Sequence, residues 1–547
     1  MPAHSPAAIP CCSSQGRIEL TIAQFSAGRK RNTVICIGDT PGDADAQAFS
    51  SRGYMVVGLA NAELMDLQKL ADVDSVVISQ DPNKPSRIRP ALERLARNLL
   101  ACDCRIYVRV ATSQQLQDVG RDIVVNAIHD LELPGAGLSS TEQAKLPAAQ
   151  QESEGNPFAP FVYVCDVAVK WNDIAKLIAD NPSGRTPNFD LKVDVIDANG
   201  SVMYFTHEKT LLLRRAFADC ASVRLHEVIG GLSGVSVFRA YVELESGLLG
   251  RWPIVYFVKI GSRRKIAIEY NKYQGHALMY VPSHLGPRLS LERCALGAAD
   301  GILVGDFMDQ AETFRDCARS GRAVRSISNL FNHTLAAWRN AAVVNSVLAI
   351  PQLLGYLFPV DIPKGREPLI RGCGAKLTLQ EVRTLFESCA SRPVLVGTIH
   401  CDLNATNVLA RFGDAIVIDF EQLADGKPLV YDPASVEASL LVDGFANDPR
   451  DTDEWLLSIV RLYERRDMFG WIAPCRPDDP SAWFFDCVRQ IRSYAHHLEL
   501  VEGQYATALA LALLKKSCNP NGFDIFAERR RASAFLLAEN LLQSITA

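Results

Sequence analysis

The sequence predicts a multidomain protein that combines an α/β domain with a later α+β region, and three patterns support this prediction. Short Val- and Ile-rich runs alternate with amphipathic stretches up to about residue 135, which is typical of a parallel sheet covered by helices. A second group of strand-like runs, some separated by glycines, extends from about 157 to 310. Amphipathic helical patterns dominate from about 311 to 547, and the first of them predicts one long helix from about 311 to 345. At 547 residues the chain is too long for one hydrophobic core.

The composition is that of an ordinary soluble protein and disfavours several classes of partner. The chain is 48% hydrophobic and 22% charged, with a net charge of −5, so nothing indicates nucleic acid or an anionic membrane as partner. Its fifteen cysteines show no paired CxxC or Cys/His spacing, which favours free thiols in a reducing cytosol. The apolar run "YATALALALLKK" is shorter than the roughly 20 residues of a transmembrane helix. We therefore expect a cytoplasmic protein.

The first domain is predicted over residues 21–135, after a Ser/Ala/Pro-rich stretch, 1–20, that we expect to be disordered. Its apolar runs, among them "NTVICIGD", "VDSVVISQD" and "CRIYVRVA", resemble in order and spacing a flavodoxin-like response-regulator receiver domain. Ser79 stands where a receiver has its phospho-accepting aspartate, Asn126 stands where it has a lysine, and Asp39 alone remains of the acidic pair. The resemblance therefore implies a degenerate receiver that serves packing or the binding of a protein partner. An unrelated flavodoxin-like domain is the alternative.

Two further segments precede the second region. Residues 136–156 are rich in Pro, Gly, Ser, Gln and Glu without apolar periodicity, which indicates a linker. Residues 157–219 are predicted to be a connecting α/β segment, in which "DANG" between two alternating runs indicates a hairpin.

Residues 220–310 contain a glycine-rich turn followed by a strand that ends near a lysine. The turn "VIGGLSGVSVF" includes Gly230, Gly231, Ser233 and Gly234, and such turns let backbone N–H groups approach phosphate. Lys259 lies near the end of "PIVYFVKIGS", and Glu269 lies in the helical stretch that follows. A glycine hairpin and a solvated lysine are the alternative interpretations.

The most informative stretch is "VGTIHCDLNATNVLARFGDAIVIDFEQL", residues 396–423. Its polar loop places His400, Asp402, Asn404 and Asn407 between two apolar runs, and Asp419 ends the second run. Asn and Asp are common in turns, so a decorated hairpin is one interpretation. A site for a divalent metal and phosphate is the other.

The order of these features resembles the protein-kinase-like fold. "HCDLNATNVL" and "IDFE" are similar to the "HGDLHxxN" and "IDF/IDW-E" motifs of the aminoglycoside phosphotransferase and choline kinase branch, and "GGLSGVSVF" is similar to its phosphate loop. The resemblance covers residues 220–547. It implies a bilobal fold with an N-lobe at 220–310 and a mostly helical C-lobe at 311–547.

The resemblance also implies roles for the residues of the loop. Asp402 would accept the proton of the attacking hydroxyl, and Asn407 and Asp419 would bind Mg²⁺ through oxygen atoms. His400 would brace the loop, whereas Asn404 is either a turn former or a helper of catalysis. The glycine-rich turn would bind the phosphates of ATP, as would Lys259, which Glu269 would orient.

Three departures and one open position qualify the resemblance. Cys401 replaces the usual glycine or arginine, which could strain the backbone or leave an oxidisable thiol. Residues 361–382 are an extra segment that we expect to line a substrate site or a partner surface. The late helices carry aromatic stripes that are better explained as core than as a ligand cage. Asp432 either supports the loop or is a simple N-cap.

These features predict a phosphotransferase that depends on ATP and Mg²⁺ and transfers a phosphoryl group to a hydroxyl of a small molecule or a protein. The main alternative is an adaptor in a signalling or conflict system, in which the kinase-like domain binds nucleotide as a switch and the receiver-like domain recruits a partner. Transfer of a nucleotidyl group is a third possibility. The intact set of Lys, Asp, Asn and Asp favours catalysis, because a scaffold has no need of it.

Overall fold

A computed structural model describes most of the chain, which divides into two compact units. The described residues are 31–59, 73–79, 99, 102–110, 162–181, 183–228, 235–244, 254–297, 299–445, 452–464, 467–476, 478–520 and 525–546. The first unit comprises residues 1–229, 235–267 and 290–304, and the second comprises 230–234, 268–289 and 305–547. Four predicted features lie outside the described residues. They are the stretch predicted to be disordered (1–20), the linker (136–156), Asn126, and the glycine-rich turn with Gly230, Gly231, Ser233 and Gly234.

The first unit contains a five-stranded, fully parallel sheet. Its elements are β1 Thr33–Ile37, α1 Asp43–Ser50, β2 Met55–Leu59, β3 Val73–Ser79, β4 Arg105–Val110, β5 Val162–Asp166 and α2 Trp171–Asp180. The strand order is β2-β1-β3-β4-β5, the order of flavodoxin-like sheets. Every side chain of β3 is buried, as expected of a central strand covered on both faces, and the buried set includes the polar residues Asp74, Ser75 and Ser79. The predicted parallel α/β sheet is confirmed.

The fifth strand of this sheet comes from an unexpected part of the chain. β5 pairs in parallel with β4, although residues 157–219 were predicted to be a separate connecting segment. α2 contributes Trp171, Ile174 and Ile178 to the same core as Val34 and Val77. The segment starting at 162 therefore belongs to the first sheet, and the predicted boundary is wrong there. A strand predicted near 122–128 lies outside the described residues.

A second sheet of the first unit has six strands in the order β10-β11-β9-β8-β7-β6. Its elements are β6 Lys192–Ile196, α3 His207–Ala216, β7 Cys220–Glu227, β8 Ser236–Leu244, β9 Ile254–Ser262, α4 Arg263–Lys272, β10 Ala295–Leu296 and β11 Asp300–Asp306. Alternate residues of β8, Phe238, Ala240 and Val242, are buried, as expected of a strand with one face on the core. β6 and β7 pair in parallel, so the boundary predicted at 219/220 divides one sheet.

The second unit is mostly helical, with two small sheets. Its strands are β12 Glu312–Thr313, β13 Val343–Asn345, β14 Val394–Ile399, β15 Val408–Arg411, β16 Asp414–Val417 and β17 Ala424–Pro428. Its helices are α5 Phe314–Arg319, α6 Ala323–Asn329, α7 Ala336–Asn340, α8 Ile350–Leu354, α9 Arg366–Gly372, α10 Leu379–Ser388, α11 Tyr431–Asp443, α12 Thr452–Ile459, α13 Ala482–Ala495, α14 Gln504–Ser517 and α15 Ile525–Thr546. The sheets have the orders β12-β15-β16 and β13-β14-β17.

One long helix was predicted from about 311 to 345, and the structure divides this stretch. α5, α6 and α7 are separate helices, with a π-helix at Leu330–Thr334 between the last two. Gly321 separates α5 from α6 with a φ of 72°, a left-handed conformation that ends a helix. The single-helix prediction is therefore wrong.

The core of the second unit forms around α14, which packs against α11 and α15. Every residue of α14 from Gln504 to Leu514 is buried, so the apolar run noted in the sequence is a central core helix. Among the helices of the described residues, none is long and apolar enough to cross a membrane. α11 and α13 are joined by a buried ion pair between Glu437 and Arg492 (2.6 Å), and Glu437 also accepts from the Tyr505 hydroxyl at 2.7 Å.

Candidate active site

The polar loop at 400–407 is held between a buried strand and a tight hairpin. β14 leads into the loop, and β15 and β16 pair antiparallel from Val408–Val417 to Arg411–Asp414. The hairpin turns at Phe412 and Gly413, whose φ angles of 55° and 93° are those of a type I′ turn. The loop thus has fixed ends, and Asp419 lies just beyond the hairpin.

His400 and Asp432 connect the start of the loop to α11. His400 is fully buried, and its backbone N–H donates to Asp432 Oδ2 at 2.8 Å, while the N–H of Cys401 donates to Asp432 Oδ1 at 3.2 Å. The N-cap residue of α11 is Val430, which makes no side-chain cap. Asp432 therefore supports the loop and is not the simple N-cap that was the alternative.

Burial dominates the electrostatics of Asp432. The loss of solvent raises the pKa of this carboxyl from 3.8 to about 6, although His400 and the two backbone N–H donors lower it. The nearby Asp402 contributes a smaller increase in the pKa. Asp432 is thus a poorly solvated carboxylate whose main contacts are with the backbone of the loop.

His400 also connects the loop to the strand that precedes Asp419. Its Nε2 lies 3.0 Å from the carbonyl oxygen of Ile418, and the N–H of Ile418 donates to the carbonyl of Asn407 at 3.0 Å. These contacts are those of a brace, as the sequence predicted for His400. They fix the position of Asp419 relative to the loop.

Cys401 adopts a conformation that normally favours glycine. Its φ is 63°, in the left-handed region, and its side chain is fully buried. Burial raises the pKa of the thiol to about 11, and Tyr356 lies 3.4 Å away through its hydroxyl. A buried, protonated thiol is a poor target for oxidants, so the expected oxidisable thiol is disfavoured.

Asp402 is the most accessible carboxylate of the loop, and its side chain is 36% exposed. Its Oδ2 accepts from the side-chain amides of Asn404 and Asn407, each at 3.2 Å. Its Oδ1 accepts from Lys515 Nζ at 3.1 Å. Asp402 is therefore held in one orientation by three donors while it remains open to solvent.

Asn404 forms the turn of the loop and also contacts Asp402, and a role in catalysis stays a prediction. Its Oδ1 accepts from the N–H of Thr406 at 2.9 Å and from the N–H of Asn407 at 3.0 Å, which forms the turn. Its Nδ2 donates to Asp402. One side chain thus shapes the loop and orients the candidate base.

Asn407 and Asp419 are the oxygen donors suited to a divalent metal. Asn407 Nδ2 donates to the backbone and side chain of Asp402, so the amide oxygen is directed away from those contacts. Asp419 has a φ of 66° and precedes a 3₁₀ turn at Phe420–Gln422. Mg²⁺ typically takes only one or two protein ligands and completes its shell with water and phosphate. Two oxygen donors fit that requirement, and the described residues contain no group of three or more His, Cys, Asp or Glu side chains that could hold a metal.

The structure brings the residues of the loop together, while Lys259 and Glu269 belong to other elements. Lys259 lies on β9 of the first unit and is 8% exposed, with Val237 of β8 as its cross-strand partner. Glu269 lies on α4 and is 7% exposed.

Three supporting residues were not predicted from the sequence. Lys515, on α14, forms an ion pair with Asp402 of the loop. Ser439 Oγ, on α11, accepts a hydrogen bond from the N–H of Ala405 at 3.1 Å. Lys272 donates to the carbonyl of Glu421 at 2.8 Å, and burial lowers the pKa of its ammonium group. All three are distant in sequence from the loop, and no local motif marks them.

The extra segment 361–382 is anchored on the C-terminal helices. Arg366 is 1% exposed and forms two bonds to the carboxylate of Glu528, at 2.8 and 2.6 Å. Glu539 of α15 accepts from the backbone N–H groups of Lys376 and Leu377, each at 3.1 Å. The segment thus buries its main polar anchors against α15, and a role at a substrate site or partner surface stays a prediction.

Comparison with known proteins adds only distant likenesses. No protein-family model and no curated protein sequence matches the chain. Amicoumacin kinase hAmiN in complex with AMP-PNP, Ca²⁺ and Ami is 10% identical at a TM-score of 0.34, with 58% of this chain and 88% of that chain covered. A thermostable mutant of the aminoglycoside phosphotransferase APH(4)-Ia, in complex with ADP and hygromycin B, is 13% identical at a TM-score of 0.34, with 60% and 97% covered. An ethanolamine kinase from Plasmodium vivax is 12% identical at a TM-score of 0.28, with 59% and 82% covered.

The solved structures similar to this chain thus include an amicoumacin kinase, an aminoglycoside phosphotransferase and choline/ethanolamine kinases. Because identities and TM-scores are low, the proposals below depend on the contacts of the loop itself.

Proposed function

We propose that the chain is a phosphotransferase that transfers the γ-phosphoryl group of ATP to a hydroxyl group. The arrangement of Asp402 carries this proposal: three donors, one of them Asn407, fix a partly exposed carboxylate. Asp419 follows Ile418, whose N–H donates to the carbonyl of Asn407. A decorated hairpin has no need to direct an ionisable side chain in this way. Phosphoryl transfer requires mainly positioning and charge neutralisation, and this loop provides the positioning.

Asp402 is the proposed general base. The hydroxyl oxygen of the acceptor attacks the γ-phosphorus, the bond between that phosphorus and the bridging oxygen of ADP breaks, and the hydroxyl proton passes to Asp402. Asn404 and Asn407 keep Oδ2 oriented, while Asp432 holds the backbone of the loop through His400 and Cys401. Each polar contact thus serves to keep one carboxylate in place.

Asn407 and Asp419 are the proposed ligands of Mg²⁺. When bound, the metal would offset the negative charge of the nucleotide phosphates. Lys259 is proposed to bind the phosphates, with Glu269 to orient it and with Gly230, Gly231, Ser233 and Gly234 as the phosphate turn. The acceptor is proposed to be a small hydroxyl compound or a protein side chain.

Residues 21–135 are proposed to act in partner binding as a degenerate receiver-like domain. Arg109 is 4% exposed and donates to Asp39 Oδ2 at 3.1 Å, to Ser79 Oγ at 3.5 Å and to the carbonyl of Val167 at 2.7 Å. Its guanidinium group also stacks on Trp171 at 4.1 Å. A fixed cation thus contacts the two residues that stand at the receiver's acidic positions, which favours a structural role. This is the observation that keeps the adaptor function as a second candidate.

Incubation of the full chain with ATP and Mg²⁺ tests the proposal. We expect Mg²⁺-ATP at millimolar concentration to raise the melting temperature, because a ligand that binds only the folded state stabilises it. Mass spectrometry of the products, with a panel of hydroxyl compounds, should then show ADP and a phosphorylated acceptor. AMP on the acceptor would indicate nucleotidyl transfer. Binding without any product would favour the adaptor.

A further inference from the structure

Lys515 is a cation from a distant helix that contacts the proposed base. Its Nζ lies 3.1 Å from Asp402 Oδ1 and 3.1 Å from the carbonyl oxygen of Cys401. The side chains of the two ion-pair partners are 34% and 36% exposed. The two residues are 113 positions apart in the sequence, so only the packing of α14 brings them together.

The position of Lys515 is set by α14, a helix that is buried along most of its length. α14 is buried up to Leu514 and ends in two lysines, so their ammonium groups are the first charges along it. Consecutive residues on a helix point about 100° apart. Lys515 accordingly points to the loop, whereas Lys516 pairs with Asp443 on α11 at 2.6 Å. Cations at a helix C-terminus are also favoured by the helix dipole.

The hydrogen bonds to Asp402 show what Lys515 contributes. An ionised carboxylate has about four lone-pair positions. Asn404 and Asn407 occupy positions on Oδ2, and Lys515 occupies one on Oδ1. About one position is left, which suits a single acceptor hydroxyl. Without Lys515, Oδ1 has no fixed donor among the described residues, and the carboxylate is free to rotate or to bind water.

We infer that Lys515 is a positioning residue for the proposed general base. Its ammonium group holds Oδ1 of Asp402 through a charge-assisted hydrogen bond, so that the remaining lone pair faces the acceptor hydroxyl. This inference rests on the proposed function. It adds to the proposed site a residue that lies outside the loop motif and its sequence neighbours.

The test compares Lys515→Met, Lys515→Arg and the control Arg461→Met, which removes an exposed cation of the same unit outside the proposed site. Hydrolysis of radiolabelled ATP in the presence of Mg²⁺, with water as the acceptor, measures turnover by the full chain. Lys515→Met should lower kcat by roughly 10- to 100-fold, since misplacing a catalytic group by about 1 Å costs about 10²-fold. The KM for ATP should change by less than about two-fold, because the interaction acts on the acceptor side. Lys515→Arg should recover most of the rate, and Arg461→Met should match the wild type.

Two outcomes would overturn the inference. If Lys515→Met turns over ATP like the wild type, Lys515 does not position the base. If kcat rises, the ion pair is an inhibitory latch. Should Lys515→Met not fold, Lys515→Gln and Lys515→Arg give the same comparison.

A second measurement separates this inference from the proposed function. Melting temperatures of Asp402→Asn, Lys515→Met and the double variant form a cycle that requires no turnover. The Lys515→Met shift should be smaller in the Asp402→Asn background than in the wild type. Additive shifts in melting temperature would show that Asp402 and Lys515 do not interact. A wild type that shows no ATP turnover and no stabilisation by Mg²⁺-ATP would instead refute the proposed function, whatever the cycle gives.

Discussion

Replacing Asp432 with asparagine should remove a pH-dependent penalty that this carboxylate imposes on folding. Asp432 is 4% exposed, and burial raises its pKa from 3.8 to about 6, against the lowering by His400 and the backbone donors. At about 1.4 kcal/mol per pKa unit, that increase corresponds to about 3 kcal/mol of folding free energy. Ionisation of Asp432 therefore lowers the free energy of unfolding, even though two backbone N–H groups donate to its carboxylate.

The sign of the pH dependence follows from the direction of this change in pKa. Because the pKa of Asp432 is higher in the folded state, the folded chain binds a proton more tightly than the unfolded chain between pH 3.8 and about 6. The contribution of Asp432 to stability is present in full below pH 3.8 and is lost as the pH rises through about 6. The asparagine side chain of the Asp432→Asn variant does not titrate, so that protein lacks this loss.

The assay is urea unfolding of the full chain and of Asp432→Asn between about pH 4.5 and 8, where linear extrapolation gives the free energies. Other titrating groups are common to both proteins and cancel in the difference. About 1 kcal/mol of the total is already lost at pH 4.5, so the stability of the wild type relative to the variant should fall by about 2 kcal/mol between pH 4.5 and 7 and then stay constant. Asp361→Asn, at an exposed position, should give a flat difference. A relative stability that rises with pH would mean that the N–H groups and His400 outweigh burial, and would refute this reasoning.

Three further predictions concern the loop and the core. Asp402→Asn should reduce turnover by roughly 10²- to 10⁴-fold and leave nucleotide binding nearly unchanged in calorimetry, because the proton leaves the acceptor. Asp419→Asn should weaken Mg²⁺-nucleotide affinity itself, since a carboxylate ligand is lost; equal affinity in the two variants would contradict these roles. Glu437→Gln should lower the free energy of unfolding by about 3–5 kcal/mol in urea titrations, because it leaves the buried Arg492 without its charged partner. A loss below about 1 kcal/mol would show that the pair contributes little.

Much of the fold could be predicted because hydrophobic periodicity marks strands and helices locally. The run "VDSVVISQD" forms the buried strand β3, and "PIVYFVKIGS" forms the strand β9, as predicted. The long helix at 311–345 failed because Gly321 adopts a left-handed φ that an apolar pattern does not reveal. The sequence did not predict that Val162–Asp166 joins the first sheet, because strand pairing depends on contacts between residues distant in sequence.

In the candidate site, too, contacts between near neighbours could be predicted from the sequence, whereas contacts between distant residues could not. Asp402 and Asn407 are five residues apart, and Asn404 shapes the turn between them, so their juxtaposition could be expected from the loop sequence. The sequence could not decide whether Asp432 caps α11 or supports the loop, because an aspartate at this position is compatible with both roles. Its contacts with the N–H groups of His400 and Cys401 settle how the carboxylate is used.

The sequence by itself determined the chemistry available within short stretches: the polar loop, the tight hairpin and the apolar periods that bury one face of each element. Only the tertiary structure decided which distant side chains join that chemistry, as Lys515 shows by contacting Asp402 across 113 residues. The physical reason is the range of the interactions. Backbone geometry and turn hydrogen bonds act between near neighbours, whereas the position of Lys515 depends on how the buried faces of α11, α14 and α15 pack together.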